Sequence, residues 1–391
     1  MQMRKWSGLS GRLATDTVYG PARRACGRLE REMLKALFLT AALLAPATLQ
    51  AKAAKSPPDA GKVVSRAVDK FIRPGYARFH GDMAMLKTAI DDLCTTPGPS
   101  AFAEVREDFA AAVASWSAIG IIRIGPIAER DRLARIVSSP RSQVSATGEV
   151  KMAIAHGDKA LTDVKTLAAS NPALQGLTAL EYVLYGEGAK DLRGSGGSFR
   201  CHYGAAIAEN VQTIAVNVQE AWDDPKGFHA IWTSPGPQNP IYRDRKEMLA
   251  GLVAQFSEAL RLAQDTLPAD QSADGKADGV SAVPFGLSHN TLQSLAAELD
   301  GMRLLFESSK VGALLKPGDR WIADTISFEF RNAHDALAAL ISSGEKPPAA
   351  AERRKAIDHI NGIIGRLSDL FTAKLARALD VVAGTAALER G

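Results

Sequence analysis

Asn171-Pro172-Ala173-Leu174-Gln175-Gly176-Leu177-Thr178-Ala179-Leu180-Glu181-Tyr182-Val183-Leu184-Tyr185-Gly186 reads as a short helix bounded by a start and a stop signal. Asn-Pro opens it and Gly186 closes it. Leu177, Leu180, Val183 and Leu184 recur at i, i+3, i+6 and i+7, the spacing of a helical stripe rather than of a strand. Thr178 and Glu181 lie one turn apart and project from one face. A carboxylate beside an apolar stripe is costly unless it is paired or holds a ligand. The plainer alternative is a glutamate that reaches solvent or an arginine.

The same periodicity extends outward from this segment. Ala- and Leu-rich stretches with three-and-four spacing predict helices over 61–93, 100–119, 128–137, 149–168, 174–185 and 200–222. They predict further helices over 243–265, 287–307, 318–341 and 349–384. β-Branched runs with period-two alternation are nearly absent, so the fold class is all-α, and helices of this length suggest two helical-bundle domains. Thr233 to Pro240 holds three prolines in eight positions, which no helix crosses. That break divides an N-terminal bundle, 54–232, from a C-terminal bundle, 241–391. Ala269 to Ser281 reads as a surface loop. Gly194-Ser195-Gly196-Gly197 is a turn; no Lys-Ser/Thr follows it and no strand precedes it, which argues against a phosphate loop.

The first 53 residues have a different character. Met33-Leu34-Lys35 precedes an apolar run from Ala36 to Ala47 and then Ala51-Lys52-Ala53. A basic start, a short apolar core and an A-x-A site make a secretory signal peptide, Met33–Ala53, and imply the periplasm. The run is too short to span a bilayer as a helix. Met33 could be the true start, with residues 1–32 upstream of it; a disordered basic leader is the alternative. The formal charge of the chain is +4. Positions 1–53 carry nine basic and three acidic residues, which leaves 38 basic and 40 acidic in the remainder, a net of −2. The basic excess belongs to the leader, and no basic patch with interleaved aromatics points to nucleic acid. Of three cysteines, Cys94 and Cys201 lie outside the leader. An even count in an oxidising compartment predicts a Cys94–Cys201 disulfide. The alternative is two buried thiols.

Conventional catalytic motifs are missing. There is no His-Glu-x-x-His and no Gly-x-Ser-x-Gly, and the seven histidines are dispersed. Arg123, Glu129, Arg130, Asp131 and Arg132 cluster around Gly125-Pro126. In one reading the acids cap the next helix and make exposed salt bridges. In the other, Arg123 or Arg130 neutralises a buried Glu181 or holds an anionic ligand in bidentate fashion. Tyr182, Tyr185 and Tyr203 add possible oxygen ligands. Gly286-Leu287-Ser288 faintly echoes Gly176-Leu177-Thr178, too faintly to argue a repeat.

The segment Gly176 to Gly186 resembles the signature of the imelysin-like family, periplasmic or surface proteins of bacteria also classed as candidate peptidases. The order of further words is similar to that family: Trp116 with Arg123-Ile124-Gly125-Pro126, Phe199-Arg200-Cys201-His202-Tyr203 with Trp222, Pro284-Phe285 through Phe306, and Ser327-Phe328-Glu329-Phe330-Arg331. The family motif is Gly-x-His-x-x-Glu. Gly176 and Glu181 match it, and Thr178 stands in place of the histidine. The resemblance implies a periplasmic protein that binds iron or another divalent metal, or an iron-bearing ligand, in metal uptake, with a membrane transporter component as possible partner. It implies a ligand site at Thr178, Glu181, Arg123, Arg130, Asp131 and Tyr185, with Glu181 as metal ligand. A hydroxyl substitutes poorly for an imidazole, which lowers the peptidase expectation most. A divergent metallopeptidase and a non-catalytic protein-binding adaptor are the alternatives.

Overall fold

The computed structural model describes residues 59–139, 142–194, 197–267, 283–343 and 349–382. The leader, the signal peptide and the 269–281 segment lie outside these residues. The described chain is all-α, with no strand among the described residues. No helix in it is long and apolar enough to cross a membrane.

Helix α1 (Ala60–Ala67) runs through a π-helical segment, Val68–Ile72, into α2 (Arg73–Thr95). Asp59 caps the start, its side chain accepting from the Gly61 N–H. Helix α3 (Pro99–Ile119) folds back on α2, opened by Pro99 at its first position, where the missing N–H costs nothing. Its C-terminal end feeds a turn that carries Arg123. The predicted helix over 128–137 is interrupted. Residues Gly125–Asp131 form a 3₁₀ segment in which Arg130 and Asp131 both take left-handed backbone, leaving only α4 (Arg132–Ile136) beyond the kink.

The predicted helix over 149–168 is also two pieces. Helix α5 (Gln143–His156) stops at Gly157, which is left-handed at φ 64°. Helix α6 (Val164–Ala169) restarts where the Asp163 side chain accepts from the Thr166 N–H. The punctuation was present in the sequence as Gly157-Asp158 and Asp163, but the Ala- and Leu-rich flanks obscured it. Helix α7 (Gly176–Tyr185) then leads to α8 (Ser198–Asp223), a helix predicted nearly to its full length. Asn171 caps a 3₁₀ turn before α7 rather than α7 itself, accepting from the Ala173 N–H.

A short α9 (Phe228–Thr233) enters the proline-rich stretch, which Asn239 organises: its amide donates to Ile231 O and Ser234 O and accepts from the Ile241 and Tyr242 N–H groups. Helices α10 (Arg245–Thr266), α11 (Thr291–Ser309), α12 (Arg320–Ser342) and α13 (Ala350–Asp369) follow, with a π-helical segment (Leu370–Leu375) and α14 (Ala376–Ala378) at the end. α11 begins at Thr291 rather than 287, because Phe285 and His289 take left-handed backbone in the preceding loop.

Helices α2, α3 and α8 pack together on one side, and α10 to α13 on the other. The seam joins α1 to α10 and α11, and α3 to α11. At its closest point the two backbones touch: a Cβ on Gly301 of α11 would lie 2.2 Å from the Ala118 carbonyl of α3. One continuous core runs through both sides of the proline-rich break, with Trp222, Tyr76, Phe109, Phe256 and Phe371 fully buried. Glu329, on α12, is held by two bonds from Arg366 of α13, at 2.7 and 3.0 Å. That pair fixes α12 against α13.

Cys94 at the end of α2 and Cys201 in the first turn of α8 form a disulfide, their Cα atoms 5.6 Å apart. Replacing both cysteines by alanine should lower the unfolding free energy by about 2–5 kcal/mol, read by urea titration under non-reducing conditions.

Candidate functional site

Helix α7 is the most completely buried of the described helices: nine of its residues, Gly176 to Leu184, are inside. Its first residue explains the glycine of the motif. Gly176 has φ 79°, and a Cβ there would meet the Ile136 and Arg135 carbonyl oxygens at 2.5 and 2.6 Å. Any side chain would both strain the backbone and push α4 away.

Thr178 and Glu181 project from α7 as their spacing predicts, and each ties down a different loop. The Thr178 hydroxyl oxygen accepts from the Ser138 N–H at 3.1 Å. Glu181 Oε1 accepts from the Ser288 N–H at 2.9 Å and from the Ser288 hydroxyl at 2.7 Å. Glu181 is only 1% exposed. Burial raises its pKa from 4.5 to about 7, while the bonds from Ser288 and the Leu287 backbone pull it back down. Among the described residues the groups bonded to this carboxylate come from the 283–290 loop, not from Arg123 or Arg130.

Both loops held by α7 line a cavity of about 530 Å³: Val137, Ser138 and Ser139 from one, Pro284 and Phe285 from the other, together with Trp116 of α3. Arg123 and Glu298 also line it. Arg123 is positioned through its backbone: its N–H donates to Gln255 Oε1 at 2.8 Å, and Gln255, fully buried on α10, is itself held by the Gly251 carbonyl. The Arg123 Nε is buried without a hydrogen-bond partner. So is the hydroxyl of Tyr76, a fully buried side chain close enough to feel the charge of Arg123. Burial pushes the Glu298 carboxyl up to about 8, against the opposing pull of Arg123.

The remaining predicted site residues lie elsewhere. Arg130 and Asp131 are exposed and do not line the cavity. Tyr185 donates to the Arg106 carbonyl at 3.2 Å, under the Arg106 guanidinium 3.9 Å from its ring centre, and burial pushes its hydroxyl up to about 12. Sequence reasoning missed Glu298, Gln255 and Tyr76, for which no motif gave a signal. Ser288 had one: the echo of Gly176-Leu177-Thr178 in Gly286-Leu287-Ser288 marks two segments that meet at the Glu181 carboxylate.

These donors do not fit a bare metal ion at Glu181. Glu181 Oε1 already accepts twice from Ser288, the Leu287 backbone also bonds the carboxylate, and the Thr178 hydroxyl, a weak metal ligand, accepts from the Ser138 N–H. No group of three or more His, Cys, Asp or Glu able to hold an ion occurs among the described residues.

The family model for imelysin, a peptidase-class family, matches residues 72–370. Among solved structures the chain is similar to an imelysin-like protein from Psychrobacter arcticum 273-4, with a TM-score of 0.66 and 16% identity over 84% of this chain and 98% of that one. It is also similar to a proposed iron-regulated protein A precursor from Parabacteroides distasonis ATCC 8503, with a TM-score of 0.56 and 13% identity over 83% and 97% of the two chains. At such identities the likeness carries the fold. No curated protein matches the chain in sequence.

The Glu181 proton has a thermodynamic signature. Between pH 4.5 and about 7 the folded chain retains a proton that the unfolded chain has released, so stability falls as pH rises through that window. Glu181→Gln keeps an acceptor for Ser288 and cannot ionise. Relative to the wild type it should gain about 3 kcal/mol on going from pH 4.5 to pH 7, measured by urea titration at each pH.

Proposed function

The chain belongs to the imelysin family, and on that premise we propose that it is a periplasmic binding protein of metal uptake whose ligand occupies the Arg123 cavity. The observation that carries this reading is the unpartnered Arg123 Nε in the wall of a cavity of about 530 Å³, a size suited to a small molecule. An always-charged guanidinium buried with spare donors asks for an acceptor. Iron would arrive here within a ligand rather than as a free ion, because the described side chains supply no first coordination sphere for an ion. Thr178 and Glu181 act at one remove in this reading. They hold the two loops that shape the cavity, and neither needs to touch what is bound.

The periplasmic setting rests on the Met33–Ala53 leader, and the link to iron on the name of a structural relative, the iron-regulated protein A precursor. Hydrolysis would need a water activated on an open metal site beside a general base. The described donor set offers no such arrangement, so binding is the reading preferred over peptidase activity.

Calorimetry on the full chain tests the proposal with Fe(III), Cu(II) and Zn(II) salts against ferric citrate, a ferric trihydroxamate and haem. At least one iron-bearing ligand should bind with a single site, and Arg123→Gln should weaken it tenfold or more. Stoichiometric binding of a free ion, abolished by Glu181→Gln and indifferent to Arg123→Gln, would move the site to α7 and overturn the reading.

A further inference from the structure

The cavity has a specific charge arrangement. Arg123, from the turn after α3, and Glu298, from α11, both line it, while Tyr76 of α2 is fully buried outside the lining and feels the charge of Arg123. Arg123 and Glu298 feel each other's charge, yet they form no ion pair. The other charges that Arg123 feels are on α10, where Glu258 and Arg261 are paired with each other at 2.8 Å. Arg132, the second cation near Tyr76, donates to the Pro126 carbonyl and lies 3.6 Å from Glu129. At the mouth, Glu149 of α5 accepts from the Asn171 amide at 2.7 Å. Among the described residues, then, Arg123 lines the cavity with no ion pair of its own.

Resting on the binding reading above, we propose that the cavity recognises its ligand through a carboxylate group, which docks on Arg123 with Glu298 beside it as a hydrogen-bond donor. A second observation points the same way. The Arg123 Nε, on a residue that lines the cavity, is buried without a partner and can only donate. A carboxylate is an acceptor with several lone pairs, and it matches a guanidinium edge in shape. A cationic or purely apolar ligand would leave the Arg123 donor unsatisfied, which a buried site tolerates poorly. Ser139, Ser142 and Ser145, exposed residues of the lining, suit a ligand that also carries hydroxyl groups.

The role of Glu298 makes the proposal pH-dependent. With its carboxyl pushed up to about 8 by burial, Glu298 is protonated at neutral pH and can donate to an incoming carboxylate. Above that pH it becomes a second anion and repels the ligand. Binding should weaken as pH rises, opposite to the trend for a site that holds a metal through the same carboxylate.

Iron-free citrate is the probe, titrated calorimetrically into the full chain at pH 7 and pH 9, with trimethyl citrate as the uncharged control. Citrate is fully ionised across most of this range, so the change reports the protein. Affinity should fall about tenfold from pH 7 to pH 9 in the wild type, as one required proton is lost. Glu298→Gln should flatten that profile, and Arg123→Gln should weaken citrate at least tenfold at pH 7. Should Arg123→Gln fail to fold, judged by its thermal transition, Arg123→Lys should retain weakened binding with the same pH trend. Absence of citrate binding, equal binding of the trimethyl ester, or a pH-independent affinity would overturn carboxylate recognition. Ferric trihydroxamate or haem binding without citrate binding would overturn it while leaving the cavity as the ligand site; no binding of any of them would remove both.

Discussion

The burial of one carboxylate, Glu181, organises this molecule. A glutamate on the most enclosed helix of the described chain is tolerable only with partners at fixed positions, and Ser288 supplies two of them from 107 residues away. The bond pair sets the conformation of the loop before α11, including the left-handed residues Phe285 and His289 that a free loop would avoid. From the same helix Thr178 holds a second loop through the Ser138 N–H. α7 thus ties down two loops that line the cavity.

This changes what the family motif means in this chain. A histidine at position 178 would present a ring nitrogen where the threonine presents a short hydroxyl that accepts from the Ser138 N–H. The glycine at 176 and the glutamate at 181 remain necessary for reasons internal to the fold: close approach to the Arg135 and Ile136 carbonyls, and capture of the 283–290 loop.

The sequence was most informative where physics is local. Helical periodicity gave the all-α class and most long helices, because an apolar stripe at 3.6-residue spacing has few other uses. The disulfide was legible from cysteine parity and the leader. Short breaks were harder: Gly157-Asp158 splits a helix, and two left-handed residues at 130 and 131 end another, each decided by a cap or a kink worth little beside the flanking hydrophobicity. Arg123 could be picked out because it sits in a quoted word, whereas Glu298 and Tyr76 could not. Their importance arises from desolvation at a meeting of α2, α3 and α11, and burial among distant elements leaves no trace in neighbouring residues. Arg130 and Asp131 were grouped with Arg123 by proximity along the chain, and the left-handed kink turns them out to solvent.

The bond between Cys94 and Cys201 has a kinetic side. α2 and α8 pack along each other although the chain between them includes α3 through α7, so their meeting is a long-range search during the first folding event. Loop closure of that kind slows folding because its entropy is lost before any contact rewards it. Once the sulfurs are joined, an unfolded molecule no longer repeats the search. Transient unfolding with the bond intact would be followed by quick return, with less time for the apolar faces of α2 and α8 to find the wrong partners. The crosslink then protects the protein through the lifetime of its open state as well as through its equilibrium.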